Sequence, residues 1–126
     1  MFKDTQAFSG FSVNDLEATK EFYSTVLGVD VQSDQMGLHL NIPGGIPIFV
    51  YPKKDHTPAS FTILNFPVEN IDEAVEALTA KGVAFEHYEM TDEKGIARGL
   101  SRNMGPDIAW FKDPSGNILS VLQQNP

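Results

Sequence analysis

Apolar residues recur along this chain with two spacings, and the spacings take turns. Residues 7–13 carry apolar side chains at Ala7, Phe11 and Val13, with Phe8 on the opposite face, as a half-buried strand would. Leu16, Phe22, Tyr23, Val26 and Leu27 then share one helical face. Asn14 or Asp15 is placed to cap that helix, Glu17 and Glu21 suit its early turns, and Gly28 closes it in a left-handed conformation. Strands are expected at 29–33, 38–42 and 46–51, with a turn at Pro43-Gly44-Gly45. The pattern then restarts with a strand at 61–68 and a helix burying Ile71, Ala74, Val75 and Leu78, stopped by Gly82. Strands at 84–89, 108–112 and 118–122 complete it, the last two joined by the turn Asp113-Pro114-Ser115-Gly116-Asn117. Residues 90–107 show no period and are expected to form a long loop of functional interest.

The restart is a repeat. Phe11-Ser12-Val13-Asn14-Asp15-Leu16 returns as Phe66-Pro67-Val68-Glu69-Asn70-Ile71 at an offset of 55, whereas the glycines that end the helices are 54 apart. The first helical segment is therefore one residue longer. Two tandem βαβββ modules, 5–58 and 59–126, forming one α+β domain, are the expected architecture.

Composition narrows the chemistry. At 126 residues, with 41% hydrophobic and 21% charged residues, the chain is long enough for a core of its own. The absence of cysteine excludes disulfides, thiolate nucleophiles and iron–sulfur clusters. Nothing approaches a membrane-spanning apolar run, and the first residues lack the apolar segment of a secretory signal, so a cytoplasmic location is expected. A net charge of −8 disfavours nucleic acid and anionic membranes and tolerates a cationic guest. No nucleophile elbow and no glycine-rich phosphate loop is present.

Taken in order, Phe11-Ser12-Val13-Asn14-Asp15-Leu16, Phe22-Tyr23, Leu27-Gly28, Ile71-Asp72-Glu73-Ala74-Val75, Lys81-Gly82-Val83 and Ala109-Trp110-Phe111-Lys112-Asp113-Pro114-Ser115-Gly116-Asn117-Ile118-Leu119 resemble the vicinal oxygen chelate superfamily. That group includes glyoxalase I, bleomycin-resistance proteins, fosfomycin-resistance enzymes and extradiol dioxygenases. The resemblance implies a cup of mixed sheet with helices outside and a ligand within, and homodimers are common. In its enzymes, four His, Gln or Glu side chains from the first and last strands of each module hold a divalent metal.

Carried over residue by residue, those positions fall on Phe8, Ile63 and Ser120, with the fourth at Phe49 or its neighbours Ile48 and Val50. No such set holds a divalent cation, so no metal or other cofactor is expected. Of the three imidazoles, His87 shares a strand face with Glu89, a two-ligand start that exposed edge polarity explains as well. His39 alternates with Leu38 and Leu40 and either lines the cup or faces water, while His56 is read as solvated.

The side chains that would share the vacated face are Gln6, Phe8, Phe49, Tyr51, Ile63, Asn65 and Ser120, with Trp110 as a wall. Arg98 and Arg102 either approach an anionic ligand group from the long loop or are ordinary surface residues. The expected function is metal-free binding of an apolar or aromatic small molecule; alternatively, the cup has closed into a second core. The competing function is a glyoxalase-like lyase or dioxygenase with a relocated metal. Metal-independent acid–base catalysis through Tyr51, His39 or an acid in the cup is a third possibility.

Overall fold

Asp15 opens the first helix by accepting the Ala18 N–H at 3.0 Å, and Asn70 opens the second by accepting the Glu73 N–H at 3.1 Å, so the repeated sequence is a repeated cap. The computed structural model describes residues 1–126 and divides them into two compact units, Met1–Pro58 and Ala59–Pro126. The first unit runs β1 (Gly10–Val13), α1 (Leu16–Glu21), β2 (Asp30–Ser33), β3 (Leu38–Asn41) and β4 (Ile48–Pro52). Its sheet has the order β1-β4-β3-β2, with β1 parallel to β4 and the other pairs antiparallel. Val13, Leu38, Leu40 and Val50 are buried on one face, and the fully buried Tyr23 packs its ring 6.1 Å from that of Phe11.

The extra residue of the first helical segment has a definite place. α1 passes without a break into a π-helical turn over Phe22–Val26, in which Leu27 N–H donates to the Phe22 carbonyl at 3.0 Å. A five-residue hydrogen bond takes up one residue more than an α-turn, which accounts for offsets of 55 at the caps and 54 at Gly28 and Gly82.

The second unit runs β5 (Thr62–Pro67), α2 (Ile71–Ala80), β6 (Ile96–Arg98), β7 (Asp107–Lys112) and β8 (Ile118–Gln123), with sheet order β5-β8-β7-β6. Ile71 and Val75 are buried beneath α2, and Ala74 and Leu78 are half-buried. Two expectations change here. Residues 84–89 do not form a strand: their backbone meets the edge of β7 through a bridge from Phe85 to Phe111 and the Glu86 N–H on the Trp110 carbonyl. Farther along, that edge is taken by Ile96–Arg98, inside the segment that the sequence left without structure. The outer strand of the sheet is thus a short one, reached after a turn.

Arg98 fixes that strand to α2. Its guanidinium donates to both Asp72 oxygens at 2.8 and 2.9 Å and to Asp92 Oδ2 at 3.0 Å, and Asp107 Oδ2 lies 3.8 Å away. Lys94 adds a 3.2 Å hydrogen bond to Asp72. Arg98 therefore holds the fold together rather than approaching a ligand, and Asp92 shares in that network. The hydrogen bonds from Arg98 hold the Asp72 carboxyl well below the usual carboxylate range, against the opposing effect of burial. A depressed folded-state pKa gives stability that is complete above the unfolded value near 4 and is lost as pH falls below it. Arg98→Met is expected to cost about 1–2 kcal/mol at pH 7, allowing for the solvent exposure of the network. In urea denaturation its deficit should shrink as pH drops from about 5 to 2. A constant deficit over that range would assign the loss to packing of the side chain.

Candidate functional site

Because Leu38, Leu40 and Val50 are drawn under the helical layer, their strand neighbours emerge on the other face. The register aligns Gly10, Phe49 and His39 in one row across β1, β4 and β3, and pairs Ser12 with Tyr51 in the next. Phe49 is the centre of this face, with the His39 ring at 5.4 Å on one side and the Tyr51 ring stacked at 5.7 Å on the other. Beside it lies an open cleft of about 390 Å³ whose walls are Phe8, Met36, Ile46, Pro47, Phe49 and His39. Phe8 is 64% exposed and Met36 71%, so the apolar wall stands largely uncovered.

The single charged group in the cleft is Asp34, and its position is set by a tight turn. Oδ1 accepts the backbone N–H groups of Met36 at 2.8 Å and Gly37 at 3.1 Å, and Oδ2 accepts from His39 Nε2 at 2.8 Å. The hydrogen bond from His39 comes first among the causes that hold the Asp34 carboxyl below its ordinary range, followed by the Met36 N–H. At the far end of the face, His56 is not merely solvated: it is half-buried, with Nδ1 2.6 Å from Ser12 Oγ.

The corresponding face of the second unit is smaller and neutral. Ser120, fully buried, donates to Asn65 Oδ1 at 2.5 Å, and its neighbour in β7 is Trp110. Trp110 Nε1 donates to Thr62 Oγ1 at 3.1 Å, and Tyr88 meets the indole edge-on at 5.5 Å. A register shift between Thr62 and Leu64 makes Ile63 the extra residue of a bulge, so Thr62 takes its place opposite Ile118.

The expected site residues are thus distributed. Phe8, His39, Phe49 and Tyr51 gather on the first unit's face, and Asn65, Trp110 and Ser120 gather on the second's. Gln6 precedes β1 and is exposed, Ile63 is on the bulge, and Arg98 is committed to carboxylates. Asp34, Met36, Ile46 and Pro47 were not anticipated. The sequence signal for Asp34 was present in Asp34-Gln35-Met36-Gly37, an acid two and three residues before the N–H groups that it binds.

The donor set does not fit a divalent metal. Of the four family positions, Phe8 and Phe49 are apolar walls, Ile63 is aliphatic and Ser120 is held by Asn65. Val50, the alternative to Phe49, is fully buried on the helical side. His87 and Glu89 are exposed outside any strand, and no group of three or more His, Asp or Glu side chains is placed to hold a metal ion.

A family profile of the Glyoxalase/Bleomycin resistance protein/Dioxygenase superfamily matches residues 7–121, and the chain belongs to that superfamily. Solved structures agree on the fold. TnmS3, an antibiotic binding protein from Streptomyces sp. CB03234, is 24% identical with a TM-score of 0.66, over 97% of this chain and 98% of that one. The fosfomycin resistance protein FosX from Listeria monocytogenes is 16% identical with a TM-score of 0.68, over 94% and 92%. A glyoxalase family protein from Enterococcus faecalis is 22% identical with a TM-score of 0.66, over 97% and 99%. At these identities the likeness is one of fold. No curated protein sequence matches significantly.

The cleft depends on Gly37. A Cβ there would lie 2.2 Å from the Val50 carbonyl oxygen, a backbone atom with no room to retreat. Gly37→Ala is expected to lower stability by about 2–4 kcal/mol in chemical denaturation, a strain comparable to overpacking a core. Gly45→Ala, whose nearest neighbour would be 4.0 Å away, should change it by less than about 1 kcal/mol. Equal effects would show that the turn tolerates the shift.

Proposed function

We propose that this chain is a metal-free binding protein for an apolar, aromatic small molecule held against Phe49 on the first unit's open sheet face, and that it works as a cytoplasmic homodimer. The observation that carries this reading is chemical: at the positions where the family's enzymes place metal ligands, this chain has aromatic walls and a satisfied hydroxyl. An apolar cleft with a few directed polar groups suits a ligand recognised by shape and ring stacking. TnmS3, of the same fold, is an antibiotic binding protein, which supports a binding reading here. No helix is long and apolar enough to cross a membrane.

Native mass spectrometry weighs the protein, its metal and its ligand at once. The expected species is a dimer without stoichiometric metal, unchanged by prior EDTA treatment. In a thermal-shift screen of polycyclic and aromatic antibiotics, a binder present at 100 times its Kd should stabilise the protein by about 2.7 kcal/mol. Phe49→Ala should weaken that binding at least roughly tenfold, since it removes the ring on which the ligand stacks. Stoichiometric Ni²⁺, Zn²⁺, Fe²⁺ or Mn²⁺ with chelator-sensitive turnover would make the protein a metalloenzyme instead.

A further inference from the structure

His39 is held in one tautomer. Its Nε2 lies 2.8 Å from Asp34 Oδ2, and that carboxylate already accepts two backbone N–H groups through Oδ1. Those N–H groups and the imidazole all favour the ionised carboxylate, which can only accept. The shared proton is therefore on Nε2, and in the neutral ring Nδ1 carries the lone pair. No protein group hydrogen-bonds Nδ1. The ring is half-exposed, lines the apolar cleft and leans on Phe49 at an interplanar angle of 37°. Asp34 is engaged at three of its four acceptor sites, with Oδ1 taking two N–H groups and Oδ2 the imidazole.

From this arrangement we infer that the ligands of the cleft are aromatic hydrogen-bond donors, phenols or aryl N–H compounds, with Phe49 receiving the ring and His39 Nδ1 accepting the donated hydrogen. This rests on the proposed binding function and adds its selectivity. A fixed acceptor beside an apolar wall discriminates between a hydroxyl and its methyl ether, because the ether leaves Nδ1 without a partner when water is displaced. The turn supplies the fixing: Asp34 Oδ1 is tied to the Met36 and Gly37 N–H groups, and Oδ2 of the same carboxylate meets the imidazole.

The test compares 2-naphthol with 2-methoxynaphthalene at pH 8, where imidazoles are neutral. Dissociation constants come from titrations of the whole protein, and ¹⁵N spectra of labelled histidine report the tautomer. The expected result is that naphthol binds roughly five- to tenfold more tightly than the ether. The preference should vanish in His39→Phe, which keeps a ring against Phe49, while the ether binds the variant about as well as the wild type. The free protein should show the Nε2–H tautomer of His39, with the Nδ1 resonance moving on addition of naphthol and not of the ether. Equal binding of the two compounds, a preference that survives His39→Phe, or an Nδ1–H tautomer overturns the inference and leaves the binding reading standing. Failure of both compounds to bind at 1 mM, with the fold intact by circular dichroism, overturns the two together.

Discussion

A strand whose every second residue must lie beneath a helix has no freedom over where the others go. In the first unit Val50 is fully buried, and so Phe49 and Tyr51 must face away; Leu38 and Leu40 impose the same on His39. The ladder then decides who meets whom, pairing Phe49 with Gly10 on one side and His39 on the other. A slip of one residue in β4 would bury Phe49 and expose Val50, with the whole face lost, so packing on one side specifies chemistry on the other. Gly10 contributes by what it lacks: a Cβ there would press on the Phe49 carbonyl at 3.1 Å.

Period alone was enough to read both helices and most strands, whereas placing Phe8 and Phe49 on one face took the resemblance as well, and the side to which His39 turns stayed open until the sheet register was known. The one-residue mismatch of the repeat also predicted a longer first segment, and the π-turn at Phe22–Val26 is its physical form. What the sequence hid was non-local. Nothing in Ile96-Ala97-Arg98 marks a strand, because its pairing is decided by the free edge of β7, and nothing in residues 84–89 warns that the edge will be shared. Arg98 and Asp72 are 26 positions apart, and only the packing of α2 beside β6 makes a bidentate pair of them. Ile46 and Pro47 likewise join the cleft through the hairpin that returns β4 alongside β3.

One turn chemistry recurs at three strand entries, and only the copy with proline reads as a turn at first sight. Asp34-Gln35-Met36-Gly37, Asp92-Glu93-Lys94-Gly95 and Asp113-Pro114-Ser115-Gly116 share the pattern of an aspartate three residues before a glycine. In each, Oδ1 accepts the N–H two residues on and a second N–H one or two residues later, at 2.8 to 3.1 Å. Gly95 and Gly116 take φ values of 88° and 85° that suit no side chain well, and Gly37 is needed for its close approach to β4. The Asp-Pro-Ser-Gly copy is recognisable because proline announces the turn; the other two lack it.

That repeated turn bears on function through where it leaves the carboxylates. A chain of net charge −8 attracts cations overall, yet Asp92 and Asp113 are engaged in holding its own backbone and Arg98. Asp34 is the acid nearest the open face, and its two oxygens are occupied by two N–H groups and an imidazole. What reaches the cleft from this acid is a fixed ring orientation rather than a free charge. On the proposed binding function, selectivity comes from direction, with one acceptor whose lone pair is aimed by a partner behind it, and from the cost of leaving that acceptor dry. A metal-binding protein and a metal-free binder can share every strand of one fold and still recognise ligands by opposite means, since the difference lies in a handful of side chains on the face that the helices leave uncovered.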